Sequence, residues 1–433
     1  MMTAHAEDAL PIAPLAGPLD AIVTVPGSKS LTNRALLIAA LGVGRSVLTG
    51  ALASDDTRYM AGALCALGIA VEQEDTADGA CFTIAGQGGH FPAREATLFI
   101  GASGTSARFL TAALPLGRGR YVLDGAPRIR ERPIAPLLTA LRQLGANIYG
   151  QEGNDSPPIV AEANGLPGEL CSVRGDLSSQ FLSALLMVGP YAGGGLTIKV
   201  EGELVSRPYI GITTAIMRDF GITTIEQGDR YLVPGGVYTA RDYAIEPDAT
   251  AASYFYAAAA LTGGTVRVAG LGRGAVQGDI AFVDVLERMG CVVGRGDDAI
   301  VVRGPAQLRG IDVDMGDISD TAQTLAAIAP FADGPVTLRG LAHARLKETD
   351  RVAAVVTELR RLGCRVDERP DGLTVHPSAL HGGTVATYDD HRMAMSFALT
   401  GLRVPGISIA DPGCVAKTFP DYFARFAAMR GGV

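Results

Sequence analysis

A chain of 433 residues exceeds one ordinary core, so two domains of roughly 200 residues each are expected. Hydrophobic residues make up 48% and charged residues 19%, which excludes an intrinsically disordered chain. The formal net charge of -8 excludes a general nucleic-acid binder with a basic face, yet leaves room for a local Lys/Arg cluster around a small anion.

The opening segment, MMTAHAEDALPIAPLAGPLDA, has neither a basic n-region nor a continuous apolar run, so no secretory signal is expected. No stretch approaches the ~20 apolar residues of a membrane helix, and a cytoplasmic, monomeric protein is expected. The six cysteines, Cys65, Cys81, Cys171, Cys291, Cys364 and Cys414, are scattered without a CxxC pair and read as reduced thiols, with no metal site. AIVTVPG reads as a strand. VPGSKSLTNRALLIAAL then runs extended through Gly27 into a helix opening on Ser28, Lys29 and Ser30, with Arg34 one turn further on the same face. This is not a Walker A loop, because Ser28 separates Gly27 from Lys29.

Further along, two kinds of segment alternate. One is a helix ending in Gly before a β-branched strand: ALCALGIAVEQ at Gly68, ALRQLGANIYG at Gly145, IMRDFGITTIE at Gly221, VLERMGCVVGR at Gly290 and ELRRLGCRVDE at Gly363. A left-handed glycine cap fits each junction. The other is a helix opening on small polar or charged residues. FIGASGTSARFLTAAL carries Gly104, Thr105 and Arg108, and RGDLSSQFLSALLM carries Ser178, Ser179 and Gln180. IEPDATAASYF opens on Asp248, DISDTAQTLAAI on Asp320, and YDDHRMAMSFAL on Asp390, His391 and Arg392. APRIRERPIAPLL sets Arg128, Arg130 and Arg132 before a Pro-initiated helix.

The first kind recurs every 69–77 residues, a spacing that suits repeated supersecondary units. Six βα-rich units, three per domain, are expected. A sixth helix, FPDYFARFAAMRGG, runs out near the C-terminus, so its partner strand should come from elsewhere, and AIVTVPG is free. Both termini would then lie in one domain.

The second kind concerns chemistry. A Ser, Thr or Asp before a helix is an ordinary cap, but capping needs no cation, and several of these starts place Lys or Arg within one turn. Unpaired N–H groups and the helix dipole favour an anion there. HARLKETDRVAAVV is the densest case, with Arg345, Lys347, Glu348, Asp350 and Arg351 at a helix N-terminus, where cations oppose the dipole.

Together these segments resemble the enolpyruvyl transferase family, on the branch that acts on shikimate 3-phosphate. The likeness runs from about Val25 to Phe423 through PGSKSLTNRALL, SDDTRYM, PRIRERPI, LSSQFLSALLM, LVSRPYI, DATAASYF, QGDIAFVDVLERMG, LKETDRV, YDDHRMAMSFAL and AKTFPDYF. It implies an α/β fold of two similar domains, each of three βαβαββ units (an inside-out α/β barrel), joined by a two-strand hinge that closes on substrate. One domain would span 28–246, on the shikimate 3-phosphate side. The other would join 1–27 to 247–433, on the phosphoenolpyruvate and proton-transfer side.

The resemblance also implies roles, with no cofactor. Lys29, Ser30, Arg34, Ser178, Ser179, Gln180, Ser206 and Tyr209 would bind shikimate 3-phosphate, joined by Asp320 and Lys347. Lys29, Gly104, Arg128, Gln180, Arg351, Arg392 and Lys417 would bind phosphoenolpyruvate. Asp320, Glu348, Lys347 and Lys29 would carry proton transfer, with His391 as a further donor. Ala102 stands where the family usually has Asn, Phe109 where Pro or Leu is usual, His343 where Asn or Arg is more frequent, and Asp389 where Asn is frequent. A sister enzyme acting on UDP-N-acetylglucosamine shares fold and donor, but its loop usually carries Cys or Asp, and GAPRIRERP has no Cys. A non-catalytic member of the fold would not need Lys29, Asp320, Lys347, Glu348, Arg392 and Lys417 together.

Overall fold

A computed structural model describes residues 9–76 and 79–430; the stretch read as lacking a secretory signal begins outside them. The chain forms two compact units, one from Pro26 to Glu246, the other from the residues up to Val25 together with those from Pro247 onward.

The two kinds of segment turn out to be the two helices of each repeat. Helices Asp55–Ala66, Ala135–Gln143, Pro208–Asp219, Phe282–Arg288 and Arg351–Arg361 each bury one face only. Each ends at a glycine with positive φ: 88° at Gly68, 85° at Gly145, 96° at Gly221, 103° at Gly290 and 91° at Gly363. Without a Cβ these residues turn the chain out of the helix at little steric cost.

The other helices are interior. Lys29–Leu41, Gly104–Ala113 and Ser179–Val188 in the first unit bury nearly every residue. So do Ala249–Thr262, Ala322–Ile328 and His391–Thr400 in the second. Such all-round burial needs small or apolar side chains on every face. Leu36, Leu37 and Ile38 are fully buried, each stabilising the fold by roughly 1.5–3 kcal/mol. In the second unit the interior helices meet through hydroxyls, Ser253 to Thr324 at 3.2 Å and Thr324 to Ser396 at 3.4 Å.

Sheets cover these helices, which makes the fold an inside-out α/β arrangement. Among the described residues, five sheets have four strands in one common order. In one of them Glu95–Phe99 runs parallel to Arg118–Asp124, which is antiparallel to Ile159–Asn164, itself antiparallel to Asn147–Gly150. The parallel strand is the one that leads into the interior helix.

At the crossings this rule has a consequence the sequence reading missed. Asp20–Val23, from AIVTVPG, does not partner the last helix. It lies parallel to Thr265–Ala269, while Asp242–Ala244 lies parallel to Val43–Ala51. Each crossing segment thus completes the sheet of the unit it is leaving. Leu10–Ile12 completes the sixth sheet instead, antiparallel to Ile407–Ile409, which is parallel to Gly383–Val385. Gly27, at the start of the first interior helix, is sterically required, because a Cβ there would stand 2.0 Å from the Gly50 carbonyl oxygen.

Candidate active site

The interior helices begin where the sequence places its charged starts, and in the second unit those starts build one network. Asp320 sits in the 3-10 turn Ser319–Thr321 ahead of helix Ala322–Ile328. Its Oδ1 accepts from Lys347 Nζ at 2.6 Å and Arg351 Nη1 at 3.0 Å, and its Oδ2 accepts from Arg392 Nη2 at 2.7 Å. Burial opposes the charge on Asp320, but Arg392, Lys347 and Arg351 outweigh it and hold the carboxyl well below the usual carboxylate range. Burial pushes the Lys347 ammonium down, against the pull of Asp320.

Arg351 organises the centre. It donates through Nε to Asp390 at 2.7 Å, through Nη2 to Glu348 at 2.8 Å, and through Nη1 to Asp320. Its partners lie on different elements, so this one side chain, 3% exposed, fixes three carboxylates relative to each other. Lys417 Nζ stands 3.3 Å from the other Glu348 oxygen. Asp390 caps helix His391–Thr400, accepting from the Arg392 backbone N–H at 2.9 Å. His391 is fully buried, its Nδ1 3.7 Å from Asp390.

Around this centre the charged stretch near Lys347 divides. Arg345 turns away, pairing with Asp350 at 2.9 Å and Glu368 at 3.0 Å. Asp350 caps helix Arg351–Arg361 through the Ala353 N–H at 3.0 Å. Ser319 Oγ accepts from Lys347 and bonds to His343 Nε2, both at 2.9 Å. Burial first, then Lys347, lower the His343 pKa to about 3, so it adds no cation at neutral pH. Asp279, bonded by the Thr250 hydroxyl, behaves oppositely to Asp320: burial and then the Asp320 charge raise its pKa to about 6.

In the first unit Arg34 is 2% exposed. It donates to Thr213 Oγ1 at 2.7 Å, the Ser30 carbonyl at 2.9 Å and Ser183 Oγ at 3.2 Å. Its guanidinium carbon lies 5.0 Å from the Phe109 ring centroid. All these partners are neutral, and burial lowers its pKa to about 10. The Tyr209 carbonyl accepts from Thr213 at 2.8 Å on the same side. Lys29, the first residue of its helix, lies 3.6 Å from Asp56. Ser178 caps helix Ser179–Val188 by accepting from the Gln180 N–H at 3.2 Å, Ser179 is buried, and Ser206 holds φ at 51°.

Two cations near Gly104 differ from a simple anion-site picture. Arg108 donates to the carbonyls of Gly104 at 3.2 Å and Pro133 at 2.6 Å, bracing the backbone. Arg132, 8% exposed, lies so close that a Cβ on Gly104 would stand 2.5 Å from its Nη1. Arg128 pairs with Glu131 at 2.7 Å and is 39% exposed. Sequence reasoning quoted Arg132 and Asp390 without giving them site roles, and missed Ser319, Ser183 and Thr213, which no motif distinguishes from ordinary core hydroxyls. Among the described residues no group of three His, Cys, Asp or Glu side chains is placed to hold a metal.

Comparison with known proteins agrees with this arrangement. A family model described as EPSP synthase (3-phosphoshikimate 1-carboxyvinyltransferase) matches residues 15–426. A 3-phosphoshikimate 1-carboxyvinyltransferase of Nostoc punctiforme is 52% identical over 98% of this chain and 99% of its own. One from Trichormus variabilis is 50% identical over 98% of this chain and 100% of its own. Among solved structures, an EPSP synthase from Acinetobacter baumannii superposes with a TM-score of 0.81 at 26% identity, covering 97% of this chain and 98% of that one. A full-length match at half identity settles membership: the chain belongs to the EPSP synthase family.

Proposed function

We propose that this protein transfers the enolpyruvyl group of phosphoenolpyruvate to the 5-hydroxyl of shikimate 3-phosphate and releases phosphate. The observation that carries the reading is Asp320, a partly buried carboxylate held within 3.0 Å of Lys347, Arg351 and Arg392. Such a cluster provides a base together with the cations that two multiply charged anions require.

In this reading the methylene carbon of phosphoenolpyruvate takes a proton, and the neighbouring carbon becomes oxocarbenium-like. The 5-hydroxyl oxygen bonds to that carbon while its proton passes to Asp320. The tetrahedral adduct then loses a methyl proton, the carbon–carbon double bond reforms, and the carbon–oxygen bond to phosphate breaks. Glu348, oriented between Arg351 and Lys417, gives and retakes the carbon-bound proton with help from Lys29. Lys417 stabilises the leaving phosphate. The steps balance without a metal or organic cofactor.

Without substrate Asp320 is a weak base, because its cations stabilise the charged form. Substrate anions that take over hydrogen bonds from Arg392, Lys347 and Arg351 raise its basicity when the hydroxyl is in place. Lys29, Ser30, Arg34, Ser178, Ser179, Gln180, Ser206 and Tyr209 hold shikimate 3-phosphate with Asp320 and Lys347. Gly104, Arg128, Gln180, Arg351, Arg392 and Lys417, again with Lys29, hold phosphoenolpyruvate. The assignment draws residues from both units. It extends to a protein that works as a cytoplasmic monomer.

The test is phosphate release from phosphoenolpyruvate with shikimate 3-phosphate and UDP-N-acetylglucosamine offered separately. Release with shikimate 3-phosphate alone, abolished in Asp320→Ala, is the expected result. Release with the nucleotide sugar alone, or with neither from folded protein, would overturn the reading.

A further inference from the structure

The turn that delivers Asp390, His391 and Arg392 to their helix contains two successive left-handed residues that are not glycine, Tyr388 at φ 57° and Asp389 at φ 54°. Among the described residues only Asp155 and Ser206 share that property. A bulky side chain disfavours this conformation, so surrounding contacts must hold it.

Those contacts come from the helix that begins with Arg351. Glu358, two helical turns beyond Arg351 and 1% exposed, points both carboxylate oxygens at the turn. One accepts from the Ala386 N–H at 3.1 Å, the other from the Tyr388 hydroxyl at 2.8 Å. Arg361 Nη1 donates to both oxygens at 2.9 and 3.0 Å, which balances the buried charge. Burial and then this bond to Glu358 raise the Tyr388 pKa to about 12. At the other end of the turn Arg351 donates to Asp390 at 2.7 Å. A single helix therefore grips the turn at Ala386–Tyr388 and at Asp390.

We infer that Glu358 is a positioning residue for the phosphoenolpyruvate side of the site: it holds the strained turn at Tyr388–Asp389 and so fixes Asp390 and Arg392 against Arg351 and Asp320. The inference rests on the proposed function for what Arg351 and Arg392 bind. Without Glu358 the turn relaxes toward right-handed or extended backbone. The Asp390 cap then shifts, and the 2.7 Å contact from Arg392 to Asp320 loosens.

The experiment compares wild type, Glu358→Ala, Asp389→Gly and the double variant, by kinetics on both substrates and by urea unfolding. Glu358→Ala is expected to raise the KM for phosphoenolpyruvate on the order of 10- to 100-fold, with the KM for shikimate 3-phosphate within about twofold. Glycine adopts positive φ without outside help, so in the Asp389→Gly background the same change should raise it less than about threefold. A merely structural role would lower the folded fraction without this split between substrates. Equal rises for both substrates, or the same phosphoenolpyruvate effect in both backgrounds, would overturn the inference. The urea arm needs no turnover. Glycine at 389 should recover more stability beside Glu358→Ala than in wild type, and strict additivity would count against the clamp. Wild-type protein inactive on both substrates, yet showing that coupling, would sink the proposed function and leave the clamp standing.

Discussion

Arg34 and Arg351 are the same residue type, nearly equally buried in different units, and their surroundings push them in opposite directions. Arg34 meets hydroxyls, a carbonyl and an aromatic face, and burial lowers its pKa to about 10. Burial also disfavours the charge on Arg351, but Asp390, Glu348 and Asp320 overcome this and raise its pKa above the usual arginine value. The first is a desolvated cation supported by neutral groups, suited to receive a carboxylate. The second already has three and serves to orient them. A buried arginine is thus read by its partners: neutral ones leave its charge for a ligand, whereas carboxylates add an orienting role to any ligand contact.

The largest expected effect lies at the centre of the charged cluster. Asp320→Asn keeps the shape and removes the base, and kcat should fall roughly a hundred- to ten-thousand-fold in a phosphate-release assay. Retained turnover would place the hydroxyl's proton elsewhere. Next comes stability. Arg351→Met strands Asp390, which is fully buried, and should cost about 3–5 kcal/mol in urea unfolding. Arg34→Met leaves only neutral groups without a donor and should cost about 1–3 kcal/mol. Equal costs would erase the distinction between the two arginines.

A smaller effect separates the acids by pH. The folded pKa of Asp320 is depressed, so its contribution is present above the ordinary carboxylate range and is lost as pH falls through the depressed value. Asp279 has the opposite sign. Its folded pKa is raised from 3.8 to about 6, so the folded state favours the protonated form and stability declines as pH rises through that window. Asp279→Asn should therefore remove a decline in urea midpoint between about pH 4 and pH 6, with its gain confined to the upper end. A gain independent of pH would show that packing, not charge, dominates there.

Much of this was readable from local pattern. The glycines at 68, 145, 221, 290 and 363 marked the outer helices because a left-handed cap is a local requirement. The Ser, Asp and Lys starts marked the interior helices because caps and anion sites share the same exposed N–H groups. Tertiary partners were not readable. Arg108 and Arg345 satisfied the same rule as Arg34 and Arg351, a cation near a helix start, yet they bind backbone carbonyls and structural acids. Arg132 owes its place beside Gly104 to packing across the unit. The exchange of strands at the two crossings could not be seen from AIVTVPG either, since edge pairing depends on which unit the chain is leaving.

The division of labour between Arg34 and the charged cluster of the second unit is tested most directly by calorimetric titration of shikimate 3-phosphate, without phosphoenolpyruvate, into wild type, Arg34→Met and Lys417→Met. Arg34→Met should weaken binding on the order of 10- to 100-fold, as for loss of a desolvated cation from a bound carboxylate, and Lys417→Met should stay within about twofold. The reverse order would contradict the account, because shikimate 3-phosphate would then be held by the cluster assigned to phosphoenolpyruvate and proton transfer.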